Sequence, residues 1–180
     1  TGLLEENYAS KGFHNKAKSC NWGPMAGFVL DDPRFEDGAD RSEVDRIVLC
    51  TGKIFHELAK RRADIGKDNV AIIRIEQLYP FPIPEYADIV SKYGHVEEIV
   101  WCQEEPLNQG AWYQVRHRLQ EPLRDNQQLY YAGRPASAAP ASGIFKVHLQ
   151  QQKELVDAAL DIEIKASKSA KPRESKRKTK

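Results

Sequence analysis

Cysteine is scarce: three residues among 180. That odd, sparse set excludes a disulfide scaffold and any four-cysteine zinc site. No stretch approaches the ~20 consecutive apolar residues that a membrane-spanning helix requires, so an integral membrane protein built on such helices is excluded. The N-terminal segment carries Glu5, Glu6, Asn7, Lys11, Lys16 and Lys18 without an apolar core, which is not the pattern of a signal peptide. Glycine-rich phosphate loops are missing. No Ser or Cys sits in a nucleophile-elbow pattern. The histidines are His14, His56, His95, His117 and His148. None falls at metal-ligand spacing with another His, a Cys or an acidic cluster, so no metal site is expected.

What is present is the composition of a globular chain, with 41% hydrophobic and 29% charged residues. At this length one domain with appendages is expected. The net charge of +1 conceals an asymmetry. The segment 165–180 holds eight basic residues against Glu174 alone, a charge of +7, so the preceding 164 residues carry −6. So basic and apolar-poor a tail cannot bury enough surface to offset its chain entropy and is expected to be disordered. It lacks interleaved aromatic residues. It is therefore read as a solvated or tethering tail, with neither nucleic acid nor a membrane expected as a partner.

Four zones follow: an N-terminal segment, 1–28; a polar connector, 29–45; a folded body, 46–164; and the basic tail, 165–180. The body alternates two patterns. Apolar, β-branched runs predict strands over Arg46–Cys50, Val70–Ile75, Glu98–Cys102 and Gln128–Tyr131. Helical spacing predicts helices over Lys53–Asp64, Glu85–Tyr93, Gly110–Glu121 and His148–Leu160. Thr51 is the expected N-cap of the first helix, and Gly66 its C-terminal stop. Leu149, Leu155, Val156, Ala159 and Leu160 are read as the apolar side of the last helix. Pro80, Pro82 and Pro84 mark a turn. Near-continuously apolar strands separated by amphipathic helices imply an α/β fold: a mainly parallel sheet with helices on both faces. Ligands of such sheets sit beyond the carboxyl ends of the strands. The loops after the strands, Thr51–Lys53, Glu76–Phe81, Gln103–Gly110 and Gly133–Ser142, are therefore the places to seek function.

The loop Gln103-Glu104-Glu105-Pro106-Leu107-Asn108-Gln109-Gly110 is the most chemically loaded. Paired carboxylates beside amides could serve acid–base work or accept bonds from an arginine. The alternative is that Glu104 and Glu105 form salt bridges and cap the following helix. Arg134 follows the fourth strand and could hold a phosphate or carboxylate bidentately, or be buried against a glutamate of the neighbouring loop. Cys50 and Cys102 end apolar strands and read as buried, inert thiols. Trp112, Tyr113, Tyr130 and Tyr131 are read as supplying an exposed apolar patch, or as ordinary core and rim residues. The residues alone describe an α/β domain with no self-contained catalytic site.

The stretches Arg46–Lys53 (RIVLCTGK), Val70–Pro82 (VAIIRIEQLYPFP), Val100–Trp112 (VWCQEEPLNQGAW), Tyr131–Gly143 (YAGRPASAAPASG) and Lys146–Leu160 occur in order. Together they resemble the C-terminal domain of the thiamine-dependent decarboxylase component of 2-oxoglutarate dehydrogenase, over about residues 29–164. The resemblance implies a transketolase C-terminal-domain-like fold within a homodimeric oxidoreductase of the citric acid cycle. It implies that thiamine diphosphate and Mg²⁺ belong to upstream domains, and that this chain alone binds no cofactor and holds no catalytic residue. The implied role is dimerisation and regulation, with Gln103, Glu104, Glu105, Asn108, Gln109 and Arg134 as regulatory or interface candidates. The implied partners are the rest of the decarboxylase component, its dimer mate and, indirectly, the lipoyl succinyltransferase core of the multienzyme complex. The implied location is bacterial cytoplasm, or the mitochondrial matrix in a eukaryote.

Residues 10–28 (SKGFHNKAKSCNWGPMAGF) are instead similar to a segment of the edema-factor-type nucleotidyl cyclase toxins. That likeness implies a phosphate-binding role for Lys11 and Lys18, with Lys16 at a neighbouring basic position. The alternative is an exposed basic face. The alternative function is thus a fragment of a calmodulin- or actin-activated cyclase fused to the α/β body.

Overall fold

The computed structural model describes residues 28–35, 38–139 and 143–161. The N-terminal segment carrying Lys11, Lys16 and Lys18 and the basic tail 165–180 lie outside the described residues, as do the expectations made for them.

Five strands form one sheet in the order β1-β3-β2-β4-β5. They are β1 (Val29–Leu30), β2 (Arg46–Cys50), β3 (Val70–Ile75), β4 (Glu98–Pro106) and β5 (Gln128–Arg134). Strands β3, β2, β4 and β5 are parallel, with Cys50 in register with Cys102 and Trp101 with Tyr131. Strand β1 joins antiparallel to β3, with Val29 opposite Ile75. The helices are α1 (Ile54–Ile65), α2 (Ile83–Ser91), α3 (Trp112–Gln120) and α4 (Phe145–Ala159).

The two-residue period of a strand divides the core into two layers. Ile47 and Leu49, Ala71, Ile73 and Ile75, and Ile99 and Trp101 face one side, with Tyr86, Ile89 and Val90 of α2 and Val115 and Leu119 of α3. Val48 and Cys50, Val70 and Ile72, and Val100 and Cys102 face the other, with Ile54 and Leu58 of α1 and Leu155, Val156 and Ala159 of α4. Because both faces are covered, the central strands carry near-continuous apolar runs, Ile47–Cys50, Val70–Ile73 and Ile99–Cys102. The α/β architecture expected from the sequence, mainly parallel with helices on both faces, is the observed one.

Local details depart from expectation in instructive ways. Thr51 does not cap α1: the N-cap is Lys53, without a side-chain bond. Gly66 does end α1, in the left-handed conformation at φ 64°, its N–H reaching the carbonyls of Ala63 and Arg62. Helix α2 begins at Ile83, since Pro84 is tolerated in a first turn that needs no N–H. Strands β4 and β5 run on through Pro106 and Arg134, so the first half of the loop expected after β4 and the first two residues of the one expected after β5 are strand. Leu149 is half-exposed, on the first two turns of α4.

Val29 and Leu30, inside the stretch read as a polar connector, form β1. Asp32 then closes the edge of β3 that this short strand leaves open. Its carboxylate accepts from the N–H of Ile72 at 2.9 Å, from Arg34 Nε at 3.2 Å and from Arg62 Nη1. Arg34 and Arg62 also donate to the carbonyl of Val70, at 2.6 and 3.0 Å. Two side-chain pairs thus satisfy backbone groups that an adjoining strand would otherwise take. Burial alone would raise the Asp32 carboxyl; the bond and charge of Arg62, the bond from Arg34 and the Ile72 N–H hold it below the usual carboxylate value. Nearby, Arg41 pairs with Asp31 at 2.9 Å and the Tyr93 hydroxyl donates to Asp31 at 2.6 Å.

Candidate functional site

The polar residues singled out in the sequence converge at the carboxyl end of β4, and Gln103 organises them. Its side chain is buried at 2% exposure. Its Nε2 donates towards the carbonyls of Gln109 at 2.8 Å and of Glu105 and Pro106 at 3.2 Å each. Its Oε1 accepts from Trp101 Nε1 at 2.9 Å and from the Trp112 N–H at 3.0 Å. One amide therefore folds the 103–110 loop back on itself, satisfies a buried indole and caps the first turn of α3. The expectation gave the capping of that helix to Glu104 and Glu105. Gln103 does it, because an amide oxygen in the turn reaches an orphan helical N–H without burying a charge. Gly110 makes the close return possible: its φ is 66°, and a Cβ there would lie 2.9 Å from Gln103 Nε2.

Asn108 and Gln109 tie this loop to the segment after β5. Asn108 Nδ2 donates to the Ser137 carbonyl at 3.0 Å and its Oδ1 accepts the Ser137 N–H at 2.9 Å. Gln109 Nε2 reaches the same carbonyl at 3.1 Å. Glu104 takes the ion-pair alternative. It accepts from Lys53 of the loop after β2 at 2.8 Å and from Gln152 of α4 at 3.1 Å, while Gln152 also donates to Glu57 at 2.9 Å. That contact raises the Lys53 amine, through the bond and the charge of Glu104. Glu105 is exposed to solvent.

Arg134 closes β5 and is buried at 8% exposure. Its carbonyl accepts the Leu107 N–H at 3.0 Å, so strand and loop are laced together there too. Trp112 and Tyr131 pack against the core with ring centroids 5.2 Å apart. Burial pushes the Tyr131 hydroxyl up to about 12. Of the four aromatics read as one patch, only Tyr113 and Tyr130 are exposed.

Cys50 and Cys102 lie side by side on neighbouring strands, both wholly buried. Burial raises both thiols, that of Cys102 to about 12, which makes them inert as nucleophiles. Among the described residues no group of three or more His, Cys, Asp or Glu could hold a metal ion. The cations at the carboxyl end of β2 and β3, Lys53 and Arg74, are drawn to Glu104 and Glu76 at 2.8 and 3.7 Å. Both of these side chains are thus paired with carboxylates rather than presented together to a Mg²⁺–diphosphate group. No helix among them is long and apolar enough to cross a membrane.

Sequence reasoning found the loop but missed Asp32, Arg34 and Arg62. The only signal was an acidic pair beside an arginine in a polar stretch, which is also how an exposed linker reads.

Comparison with known proteins gives a consistent result. The family model described as 2-oxoglutarate dehydrogenase C-terminal matches residues 26–160. The chain is 49% identical over 124 residues to the 2-oxoglutarate dehydrogenase E1 component of Haemophilus influenzae, a match covering 69% of this chain and 13% of that protein. It is 50% identical over 125 residues to the protein of the same name from Coxiella burnetii, covering 68% and 13%. It is 46% identical over 133 residues to the multifunctional 2-oxoglutarate metabolism enzyme of a Mycobacterium species, covering 73% and 10%. The chain thus spans only a small fraction of the length of these curated relatives.

Proposed function

The chain belongs to the 2-oxoglutarate dehydrogenase C-terminal family, and from that premise we propose that its folded part is the non-catalytic, assembly and regulatory domain of a 2-oxoglutarate dehydrogenase decarboxylase component. The observation that carries this reading is the use made of the polar loop after β4. Gln103, Asn108, Gln109 and Glu104 are all engaged in holding loops and helices to one another. Side chains so committed build a rigid surface rather than a set of groups poised on a substrate. Glu105 and Arg134, at the same end, are the residues through which a partner or an anionic effector would be felt.

In this reading the thiamine diphosphate and Mg²⁺ of the decarboxylation sit in the upstream part of the longer enzyme, and this domain completes its dimer. Its partners are that upstream part, the dimer mate and, through them, the lipoyl succinyltransferase core of a cytoplasmic multienzyme complex. The described residues of zones 29–45 and 46–164 are read as one unit, since Asp32 bonds to Ile72 and Asp31 to Tyr93.

The test is complementation. The Haemophilus influenzae relative, cut ahead of the region that this chain matches, is mixed with the chain and assayed for thiamine-dependent oxidation of 2-oxoglutarate. Activity restored in proportion to added chain is expected. A folded chain that restores none refutes the assembly role. Turnover by the chain alone refutes its non-catalytic character.

A further inference from the structure

The eight exposed large hydrophobic side chains among the described residues are not scattered. Six of them, Tyr79, Tyr113, Ile144, Phe145, Val147 and Leu149, stand on segments at the carboxyl end of the parallel strands. Tyr79, 93% exposed, is on the loop after β3. Tyr113 is in the first turn of α3, directly after the β4 loop. The other four lead into α4 or lie on its first two turns. The direction of α4 is set by its contacts. Gln152 meets Glu104 near the carboxyl end of β4, whereas Asp161, past the end of α4, meets Arg46 at the amino end of β2 at 3.4 Å. The first turns of α4 therefore lie towards the carboxyl end of the sheet. Of the other two, Ile65 is at the opposite end and Tyr130 lies within β5. An apolar surface gathered at one end of a domain marks a contact face.

The course of the chain says what covers it. Strand β1 is antiparallel to β3, so its first residue lies at the carboxyl end of the parallel strands. The Phe28 carbonyl accepts the N–H of Glu76, the residue just past β3, at 2.7 Å. Whatever polypeptide precedes this domain arrives at the same end that carries the apolar side chains. The relatives have most of their length outside the matched region, and the family is a C-terminal one.

We propose that the carboxyl end of the sheet, centred on Phe145 and Leu149 of α4 and on Tyr79, is the face on which the preceding domain of the longer enzyme docks. This rests on the assembly reading above and names the surface that performs it. The occupant is an apolar surface of the same polypeptide in the full-length enzyme, arriving beside β1. Short-range connection favours that contact over one with a separate protein.

The experiment compares four purified forms of the 180-residue chain: wild type, Phe145→Asp/Leu149→Asp, Tyr79→Ser and, as a control at the opposite end, Ile65→Asp. Each is titrated onto the immobilised Haemophilus influenzae relative lacking its own matched region, and each is run in the complementation assay. Far-UV circular dichroism and melting confirm that every form is folded. The double variant is expected to bind at least about 10-fold more weakly than wild type, since central apolar anchors dominate such contacts. Tyr79→Ser should show a smaller loss, and Ile65→Asp should bind as wild type. Undiminished binding by a folded double variant overturns the docking face while leaving the assembly reading intact, provided wild type restores activity. So does loss confined to Ile65→Asp. A folded wild-type chain that neither binds nor restores activity overturns both. If the apolar end instead pairs two copies of this chain, wild type sediments as a dimer that the double variant dissolves without changing its binding to the relative. That result also rejects the proposed occupant.

Discussion

Replacing Gln103 by leucine is the sharpest test of the loop as a built structure. Leucine is of similar size, so no large cavity opens, but five polar contacts vanish at once. Two of the abandoned groups, the Trp101 indole N–H and the Pro106 carbonyl, lie on buried residues. Each buried group left without a partner costs about 1–3 kcal/mol, so the pair should cost roughly 4 kcal/mol, and the lost cap on α3 adds to that. For a chain of this size about 4 kcal/mol lowers Tm by roughly 8–16 °C. Urea unfolding followed by tryptophan fluorescence and calorimetry would measure both quantities. Gln103→Glu separates the donors from the acceptor. A carboxylate can still accept from Trp101 and Trp112 but cannot donate to the three carbonyls, which instead repel it. Its folded pKa should rise above the unfolded value, so the variant's deficit against wild type should narrow as pH falls from 7 towards 4. A Gln103→Leu protein within about 1 kcal/mol of wild type, or a Gln103→Glu deficit that does not vary with pH, would refute the reasoning.

Asp32→Asn should cost about 3–5 kcal/mol at neutral pH, because Arg62 is left buried without its counter-charge. The folded Asp32 carboxyl lies below its unfolded value. Its contribution is therefore complete above the unfolded pKa and lost as pH falls through the folded one. The variant should accordingly show a flatter acid limb in urea titrations from pH 6 to 2, and a limb as steep as wild type argues against this. Gly110→Ala should lose about 1–3 kcal/mol through its left-handed backbone and its approach to Gln103, and a neutral change would contradict the tight return of the loop. Lys53→Met, in contrast, should change stability by under about 1 kcal/mol. Lys53 is 75% exposed, so its pair with Glu104 is a surface one. In a Cys20→Ser background, native protein should take up no aromatic disulfide reagent at pH 8 until it unfolds. Rapid labelling of the folded chain would show that Cys50 or Cys102 is accessible.

The elements of the body were legible because their signals are local. Ile47 to Cys50 and Val70 to Ile73 are apolar without interruption, since both faces of a central strand are covered. Ile54 and Leu58 lie one helical turn apart, and Gly66 ends its helix because it alone adopts a positive φ cheaply. The five ordered motifs also carried the family resemblance without any coordinate. Thr51, Leu149 and the boundaries of β4 and β5 misled, because capping, burial and strand extension depend on neighbours far along the chain.

The site was legible only as a list of residues. Nothing in QEEPLNQG says that its first glutamine is the hub, since that role comes from Trp101, Trp112 and Gln109 closing round it in space. The stretch around Asp32 reads as linker until Ile72 and Arg62, 40 and 30 positions away, are brought against it. By itself, the sequence settled the identity and order of the main helices and strands, and the family they make, through short-range periodicity and motif. The tertiary structure alone decided the strand order, the burial of the Asp32 pair and the gathering of exposed apolar side chains at the end where the chain enters. Each of these follows from pairing between distant segments, whose partners are chosen by the whole packed sheet rather than by any local run of residues.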